Sequence, residues 1–452
     1  MNAFLIAGTN SGVGKTTITL ALISYFSNQG LSVQPYKVGP DFIDPGYHKL
    51  FSGNISINLD SFMLSKSYNI SNFNQYSYNK DIAIVEGVMG LFDGFSGKNE
   101  RGSSAQIAKW LNLPVILIVN SQSIARSVAA IVYGFENFDK DLKIAGIIFN
   151  NVSSENHFSY LKESVEKYCK SKVLGFFKKG DLPSIPSRHL GLLTVEDNAE
   201  FINYKKSLSE IVEKRINIKK LLGITKYTVS KPHLSKKINK KLKVAVAKDK
   251  AFSFYYEDNL KLIEKYGGEI TFFSPLKDKK LPDNIEAIYL GGGYPEIYAE
   301  TLSKNRVLIE QIKNFSENRG FIYAECGGFI YLTEGVIDFN GKFFPLVGIF
   351  KDRAIMQKRL RSLGYAEVTF TEKTFFGEFG TKIKGHEFHY SYLENGGEAL
   401  KKIYNVKMRK FPEGKAEGFL YKNTLGSYIH LHFGSNKKVV KNFIETIANK
   451  GG

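Results

Sequence analysis

Short runs of β-branched residues alternate with longer amphipathic segments through the first half of the chain. The runs predict five strands: Phe4–Ala7, Ile82–Glu86, Val115–Asn120, Ile144–Asn150 and Val173–Phe177. Between them, Lys15–Phe26 and Ser121–Phe135 have the apolar spacing of helices. Strands that alternate with helices need crossover connections, which favours an α/β fold with a mostly parallel, doubly wound sheet.

This alternation stops at residues 225–243 and then begins again. The segment is rich in lysine, contains Pro232 and lacks a long apolar period, so we interpret it as a linker. It separates a predicted first domain, residues 1–224, from a second, residues 244–452. New apolar runs predict that the second domain is also α/β: Val244–Ala247, Ala287–Leu290 and Phe321–Ala324.

A glycine-rich loop, GTNSGVGKTT at residues 8–17, joins the first predicted strand to the first predicted helix. In such a loop the backbone N–H groups can face phosphate oxygens, while Lys15 reaches the terminal phosphates and the Thr16 hydroxyl can bind Mg²⁺. Five residues separate Gly8 from Gly14 where the strict P-loop has four, so this is a variant P-loop. A glycine turn that binds nothing is the alternative, but the strand–loop–helix context favours phosphate. The predicted nucleotide-binding residues are Gly12, Gly14, Lys15, Thr16 and Thr17.

Acidic residues follow other predicted strands of the first domain. Glu86 ends its strand, and Asp93 lies in the glycine-rich loop after it. Asp41 lies further upstream, in the run of turn-forming residues KVGPDFIDPG, which we expect to follow another strand. Loops at the carboxyl ends of parallel strands meet at one edge, so these acids should approach Lys15. Carboxylates beside a phosphate site bind Mg²⁺, so Asp41 and Glu86 are predicted metal ligands together with Thr16.

Two further residues of the first domain have two interpretations each. Asp44, before Pro45, could take part in the site or could serve as a helix cap or turn residue. Asn150, which closes the strand Ile144–Asn150, could hydrogen-bond an adenine edge or could be an ordinary turn asparagine. The sequence leaves both pairs of interpretations open.

In the second domain, Cys326 lies at a predicted strand–turn–helix junction within YAECGGF. A cysteine at a helix N-terminus is expected to have a depressed thiol pKa, and Gly327 can offer its N–H to an oxyanion. A triple glycine directly after the strand Ala287–Leu290 is suited to supply the second donor, from Gly292 or Gly293. An inert buried cysteine is the alternative, which the two glycine loops disfavour.

A thiolate nucleophile needs a histidine base, and GSYIHLHFG near the C-terminus offers two. Strand alternation puts His430 and His432 on the same side, so their spacing does not choose between them. A second cluster, GHEFHY at residues 385–390, could shape a substrate pocket or form a half-exposed strand. Both interpretations of that cluster stay open.

Composition narrows the class of protein without naming it. Hydrophobic residues make up 43% and charged residues 23%, as in soluble globular proteins, and no run approaches the ~18–20 apolar residues of a membrane span. The chain starts with a predicted strand, not a signal peptide, and two cysteines cannot build a disulfide framework, which favours the cytoplasm. The net charge of +18 comes from widely spread lysines without a nucleic-acid-binding motif, so it suits a polyanionic small substrate better than nucleic acid.

Taken together, seven stretches closely resemble the cobyrinic acid a,c-diamide synthase family over essentially the whole chain. They are QPYKVGPDFIDPGYH, NLDSFML, VEGVMGLFDG, LGGGYPEIYA, YAECGG, GHEFHYS and SYIHLHF. The first half resembles the dethiobiotin-synthetase type of P-loop fold, which shares the extra loop residue. The second half resembles a class I, or triad-type, glutamine amidotransferase.

The resemblance implies that ATP phosphorylates the a and c carboxylates of a corrin-type macrocycle, and that ammonia from glutamine displaces the phosphate. It implies that Cys326 is the nucleophile and that Asp41, Glu86 and Asp93 belong to the synthetase chemistry. Triad glutaminases usually read His-x-Glu, and alignment puts His430 at the base. His432 then stands where the acid is expected, so the third member of the triad is unassigned.

The expected partners are glutamine, ATP with Mg²⁺ and a corrinoid or related tetrapyrrole, with no nucleic acid and no membrane; a homodimer stays open. The sequence does not choose between cobyrinic acid and another tetrapyrrole such as nickel-sirohydrochlorin or hydrogenobyrinic acid. A P-loop regulatory ATPase with an inert glutaminase-like domain is an alternative from another class, which Cys326 and His430 disfavour. The second domain likewise disfavours a simple carboxylase resembling dethiobiotin synthetase.

Overall fold

The computed structural model of the chain describes residues 1–185, 187–188, 191–192, 194–232 and 242–450. The chain forms two compact units, Met1–Leu234 and Ser235–Gly452. In the described part of the chain, no helix is long and apolar enough to cross a membrane.

The first unit alternates strands and helices from its first residues. Its strands are β1 (Asn2–Gly8), β2 (Val33–Val38), β3 (Ile57–Leu59), β4 (Ile82–Glu86), β5 (Val115–Asn120), β6 (Ile144–Val152), β7 (Lys172–Lys178), β8 (Ser187–Arg188) and β9 (Gly191–Leu192). Its helices are α1 (Lys15–Asn28), α2 (Asp44–Ser52), α3 (Lys66–Ser77), α4 (Ser104–Leu111), α5 (Ser127–Phe138), α6 (Glu155–Tyr168), α7 (Lys205–Arg215) and α8 (Ile218–Ile224).

Seven of these strands form a parallel sheet in the order β3-β2-β4-β1-β5-β6-β7. Strand β1 lies near the middle, and its side chains alternate between two cores: Leu5 lies in one and Phe4 in the other. A strand buried on both faces must be apolar throughout, which explains the continuous hydrophobic run at the start of the chain. The predicted doubly wound α/β architecture is confirmed.

One sequence prediction in this unit needs correction. The helix predicted at Ser121–Phe135 begins only at Ser127, because the residues after β5 form a turn in which the Ser121 N–H donates to the Asn150 carbonyl at 2.8 Å. Thr225, the first residue of the predicted linker, contacts the first strand: the Ala3 N–H donates to the Thr225 carbonyl at 2.9 Å. The bounds of the linker stay a prediction. Residues 233–241 of that linker lie outside the described residues.

The second unit combines a larger mixed sheet with a smaller one. Its strands are β10 (Leu242–Ala247), β11 (Gly268–Phe273), β12 (Ala287–Leu290), β13 (Phe321–Glu325), β14 (Thr333–Ile337), β15 (Phe343–Pro345), β16 (Phe350–Met356), β17 (Ser362–Phe370), β18 (Lys382–His389), β19 (Ser391–Leu393), β20 (Lys402–Met408), β21 (Phe411–Tyr421), β22 (Thr424–Ser427) and β23 (Ile429–Leu431). Its helices are α9 (Glu257–Tyr266), α10 (Ala299–Lys304), α11 (Arg306–Glu317), α12 (Gly327–Leu332) and α13 (Lys437–Lys450).

The larger sheet has the order β11-β10-β12-β13-β22-β21-β20-β17-β18-β23. Strands β11 to β22 pair in parallel, whereas the strands from β22 to β23 pair antiparallel. Only Tyr428 separates β22 from β23 in the chain, yet the two strands stand far apart in this order. The sheet therefore folds back on itself, and β23 returns beside the end of β13, where the Leu431 N–H donates to the Glu325 carboxylate at 3.1 Å.

The core of the second unit gives a direct test of this packing. Phe329 is fully buried on α12, and its ring stacks on Phe419 with centroids 4.9 Å apart and an interplanar angle of 7°. Phe329→Ala should lower the free energy of unfolding by about 3–5 kcal/mol, because a large cavity replaces the ring. Urea denaturation of the full chain measures this change. Phe379 is 77% exposed, so the control Phe379→Ala should stay within about 0.5 kcal/mol of the unsubstituted protein; equal losses in both variants would contradict the stated packing.

Candidate active sites

The glycine-rich loop connects β1 to α1, and two of its glycines adopt left-handed conformations. The φ angles of Gly12 and Gly14 are 79° and 96°, values that side chains disfavour. A Cβ at Gly14 would overlap the side-chain amide of Asn150, whose Nδ2 donates to the Val13 carbonyl at 2.9 Å. Asn150, on β6, therefore stabilises the P-loop through this hydrogen bond. The predicted contact of Asn150 with an adenine edge stays a prediction.

Lys15 begins α1, with Thr16 and Thr17 in the same first turn, and its side chain reaches two loops. Its Nζ donates to the Met89 carbonyl at 2.5 Å and to the Asn10 carbonyl at 3.3 Å. Burial and the nearby charge of Lys37 lower the pKa of Lys15. The ammonium is therefore held where the P-loop meets the loop after β4.

A second lysine, Lys37 near the end of β2, lies among carboxylates from two segments, the residues that follow β2 and the end of β4. Its Nζ is 2.5 Å from Asp44 Oδ2, 2.8 Å from Glu86 Oε1 and 3.8 Å from Asp41 Oδ2. Burial opposes its charge, but Asp44 and Glu86 outweigh that effect and raise the pKa of Lys37. The hydroxyl of Thr16 donates to Glu86 Oε1 at 2.7 Å, so the cluster adjoins the P-loop.

His48 is a member of this cluster that sequence reasoning missed. Its Nε2 lies 2.7 Å from Glu86 Oε2, and its Nδ1 lies 3.0 Å from the hydroxyl of Ser56. Although burial acts in the opposite direction, Lys37 and His48 hold the pKa of Glu86 below its ordinary value. The only signal in the sequence was that the stretch QPYKVGPDFIDPGYH ends at this histidine.

The two other predicted acids have local structural roles. Asp41 Oδ1 accepts hydrogen bonds from the backbone N–H groups of Ile43 at 2.8 Å and Asp44 at 3.1 Å, where α2 begins. Asp93 Oδ2 accepts from the Gly90 N–H at 2.8 Å and holds a turn of the loop after β4. Their proposed roles in synthesis rest on the family resemblance and on nearness to Lys37 and Lys15.

The oxygen atoms beside the P-loop fit a magnesium ion. Among the described residues, no group of three or more His, Cys, Asp or Glu side chains could hold a metal by itself. Mg²⁺ bound with nucleotide takes most of its ligands from phosphate and water, and needs only one or two protein oxygens. The Thr16 hydroxyl and the Glu86 carboxylate, 2.7 Å apart, are such a pair.

Cys326 lies between β13 and α12 in a strained conformation, with φ 47° and ψ −103°. Its N–H donates to the Ser427 carbonyl at 2.7 Å, and its Sγ lies 3.6 Å from the Phe388 carbonyl. Burial raises the pKa of the Cys326 thiol, and the charges of Glu296 and Glu325 add to the shift. The expected depression of this pKa is therefore wrong for the resting enzyme, because burial and carboxylates outweigh a helix of six residues. The thiol needs a base when it reacts.

The glycine loop after β12 lies against the cysteine turn. A Cβ at Gly327 would come within 2.9 Å of the Gly293 nitrogen, so the two backbones approach this closely only because Gly327 lacks a side chain. The sequence offered Gly292 as a possible oxyanion donor. Its N–H, however, already donates to the Phe254 carbonyl at 3.2 Å, so Gly292 is unsuited to that role. The lack of a side chain at Gly292 makes room for His430, because a Cβ at Gly292 would overlap the ring of that histidine.

The two candidate histidines have different surroundings. The ring of His430 stacks on His386 with centroids 4.8 Å apart, and its Nδ1 lies 3.6 Å from Glu325 Oε2. His432 Nδ1 accepts a hydrogen bond from the Gly434 N–H at 3.1 Å, and burial lowers the pKa of His432 to about 3. His432 therefore stabilises a turn, and the geometry favours His430 as the base.

The polar residues of the cluster at 385–390 are buried (His386, Glu387 and His389), whereas Phe388 and Tyr390 are partly exposed. Both ring nitrogens of His389 face acceptors, the Ser391 carbonyl at 2.7 Å and Glu387 Oε1 at 2.9 Å. With both ring nitrogens engaged in this way, His389 is less suited than His430 to be the base. Against the effect of burial, His389 and Lys415 hold the pKa of Glu387 at about 2.

A P-loop in a parallel sheet, together with a second unit that gathers a cysteine, a histidine and a glycine loop, defines a nucleotide-binding glutamine amidotransferase. Family models agree with this class. Residues 4–192 match the CobQ/CobB/MinD/ParA nucleotide binding domain, and residues 243–438 match the CobB/CobQ-like glutamine amidotransferase domain.

Curated relatives place the chain more narrowly. Proteins named cobyrinate a,c-diamide synthase from Leptospira interrogans serovar copenhageni and from Caldanaerobacter subterraneus subsp. tengcongensis are each 40% identical over 99% of this chain, which covers 98% and 99% of their lengths. One from Listeria innocua is 41% identical over 97% of this chain and 98% of its own length. The chain belongs to the cobyrinate a,c-diamide synthase family, and it is an enzyme that uses glutamine as amido donor.

A buried carboxyl group beside the cysteine site gives a prediction on stability. Glu417 accepts hydrogen bonds from the Ser427 hydroxyl at 2.6 Å and the Tyr428 N–H at 2.8 Å, and burial raises its pKa from 4.5 to about 7. The folded state thus keeps a proton that the unfolded state releases, so stability falls as pH rises from about 4.5 to about 7.

Glu417→Gln removes this titration and should therefore stabilise the protein more at pH 8 than at pH 5, by a difference of roughly 2 kcal/mol. Urea denaturation of both proteins at the two pH values measures it. If the variant and the unsubstituted protein differed in stability by the same amount at pH 5 and at pH 8, Glu417 would not titrate in this range.

Proposed function

We propose that this protein is a cobyrinate a,c-diamide synthase, which uses ATP and glutamine to amidate the a and c carboxylates of cobyrinic acid through acyl phosphates in cobalamin biosynthesis. One observation carries the proposal. The same chain holds a P-loop with Lys15 and a strained Cys326, which directly follows Glu325, a carboxylate near His430, and directly precedes Gly327, which lies against a glycine loop. The names of relatives that match along nearly the whole chain supply the acceptor.

The first unit activates the carboxylate, because a carboxylate does not react with ammonia at neutral pH. Lys15 and the backbone of residues 8–17 bind the phosphates of ATP, and Thr16 and Glu86 would hold Mg²⁺. The chemistry that the ion would supply there is neutralisation of the charge on the phosphates. Lys37 and His48 keep Glu86 ionised and oriented for this role.

The second unit releases ammonia. His430 takes the proton of Cys326 as the sulfur attacks the amide carbon of glutamine, and the N–H groups of Gly293 and Gly327 face the oxyanion that forms. The intermediate collapses to a glutamyl thioester as His430 returns the proton to the departing ammonia. Water then cleaves the thioester to glutamate. Ammonia displaces phosphate from the acyl phosphate and leaves a carboxamide.

The net charge of +18 suits an acceptor that carries many carboxylates. Nickel-sirohydrochlorin and hydrogenobyrinic acid present similar carboxylates, so the decisive experiment compares acceptors. Each is incubated with enzyme, ATP, Mg²⁺ and glutamine, and the products are analysed by mass spectrometry. Cobyrinic acid should twice exchange OH for NH₂, faster than the other two; a preference for another tetrapyrrole, or no amidation, would contradict the proposal.

Removing each nucleophilic or phosphate-binding group should separate the two half-reactions. Cys326→Ala should abolish glutamine-dependent amidation and keep the rate with a high concentration of ammonia, because only the ammonia source is lost. Lys15→Ala should lose both activities, because no acyl phosphate forms. Amide formation measured with each nitrogen donor checks this. If Cys326→Ala also failed with ammonia, the assignment of separate chemistry to the two units would be wrong.

A further inference from the structure

Triad glutaminases orient their histidine with a carboxylate, and this chain has His432 where that acid is expected. Glu325 lies elsewhere in the sequence but close to the base in space. It is the last residue of β13, directly before Cys326, and only 1% of it is exposed. Its Oε2 lies 3.6 Å from His430 Nδ1.

Hydrogen bonds fix the Glu325 carboxylate in place. Its Oε1 accepts from the Tyr323 hydroxyl at 2.5 Å and from the Leu431 N–H at 3.1 Å, and its Oε2 accepts from the Tyr289 hydroxyl at 3.1 Å. Leu431 directly follows His430 on β23. The carboxylate is therefore tied to the backbone of the strand that carries the base, and not only to its own strand.

The ring of His430 is also restrained. His386 stacks on it with an interplanar angle of 14°, and the backbone of Gly292 leaves no room for a side chain beside its Cε1. With its plane fixed in this way, the Nδ1 side faces Glu325. In the proposed mechanism the proton of Cys326 passes to the other ring nitrogen, Nε2.

We propose that Glu325 is the positioning residue of the glutaminase: it accepts a hydrogen bond from the Nδ1–H of His430. This bond keeps the proton on Nδ1 and leaves Nε2 unprotonated to take the proton of Cys326. The carboxylate also stabilises the imidazolium that results. Catalytic hydrogen bonds are commonly long in the resting enzyme and tighten with substrate, which accounts for the 3.6 Å separation.

His432 cannot take this role, because its Nδ1 already accepts a hydrogen bond from the Gly434 N–H. A neutral imidazole at that position also lacks the negative charge that a positioning acid contributes. The inference rests on the proposed function of the second unit, and its test must separate the two.

The test uses Glu325→Gln, Glu325→Asp and the matched control Glu417→Gln, each in the full chain. In Glu325→Gln the side-chain NH₂ can donate to Nδ1, which moves the proton to Nε2 and removes the base. The glutamine-dependent kcat should fall by about 10²–10⁴, with little change in KM for glutamine. The ammonia-dependent rate should not change. Glu325→Asp should restore part of the lost rate, and Glu417→Gln should keep the unsubstituted rate.

A double variant distinguishes positioning from a purely structural effect. If Glu325 acts through His430, then Glu325→Gln combined with His430→Ala should be no slower than His430→Ala alone, because the two residues act as a unit. Independent, multiplicative losses would overturn the inference.

A glutamine-dependent rate unchanged in Glu325→Gln but lost in His430→Ala would overturn it too, and would leave the proposed function standing. A parallel fall in the ammonia-dependent rate would also overturn it, since the change would then act on the fold. If His430→Ala kept full glutamine-dependent activity, the proposed base itself would be wrong.

Discussion

Parallel strands bring their carboxyl ends to one edge of a sheet, and both candidate sites of this protein depend on that geometry. In the first unit the loops after β1, β2 and β4 meet at this edge, so that Lys15, Lys37 and Glu86 come together. In the second unit the ends of β12 and β13 lie side by side and bring Gly293 against Gly327. In both units glycine permits the backbone approach that a side chain would prevent.

Because charged side chains are buried at the edge of the first sheet, each of them needs a partner of opposite charge or a hydrogen bond. Lys37 and Glu86 are almost fully buried, and each would be costly there without partners. Together with Asp44 and His48 they form a network in which each charge is hydrogen-bonded. Such a network fixes oxygen positions beside the P-loop, which is what a site for Mg²⁺ and phosphate needs. It also explains why acids from two segments, the residues after β2 and the end of β4, converge on a single lysine.

The cysteine site uses burial in a different way. Burial and carboxylates raise the pKa of Cys326, so the thiol needs a base when it reacts. In the proposed mechanism this base is His430, whose ring is held between His386 and the Gly292 backbone. A nucleophile that is activated only together with its base fits an enzyme that must release ammonia when an acceptor is ready.

The sequence by itself determined the α/β class, the P-loop and the turn at Cys326, because each depends on residues close together in the chain. Periodicity predicted the strands, and the order strand, glycine loop, helix located Lys15 and Cys326. Predictions from local pattern were less accurate where a contact distant in the sequence intervenes. A helix was predicted from Ser121, but α5 begins at Ser127, because Ser121 hydrogen-bonds to β6.

Only the tertiary structure decided the remaining features, because they depend on hydrogen bonds and burial between distant segments. His430 and His432 share one side of a strand, and what separates them is the return of β23 beside β13. That return places Glu325 near His430. A hydrogen bond from the Gly292 N–H to the Phe254 carbonyl makes Gly292 unsuited to be an oxyanion donor. A pKa such as that of Cys326 reflects all surrounding groups and their exclusion of water, which no local stretch of sequence contains.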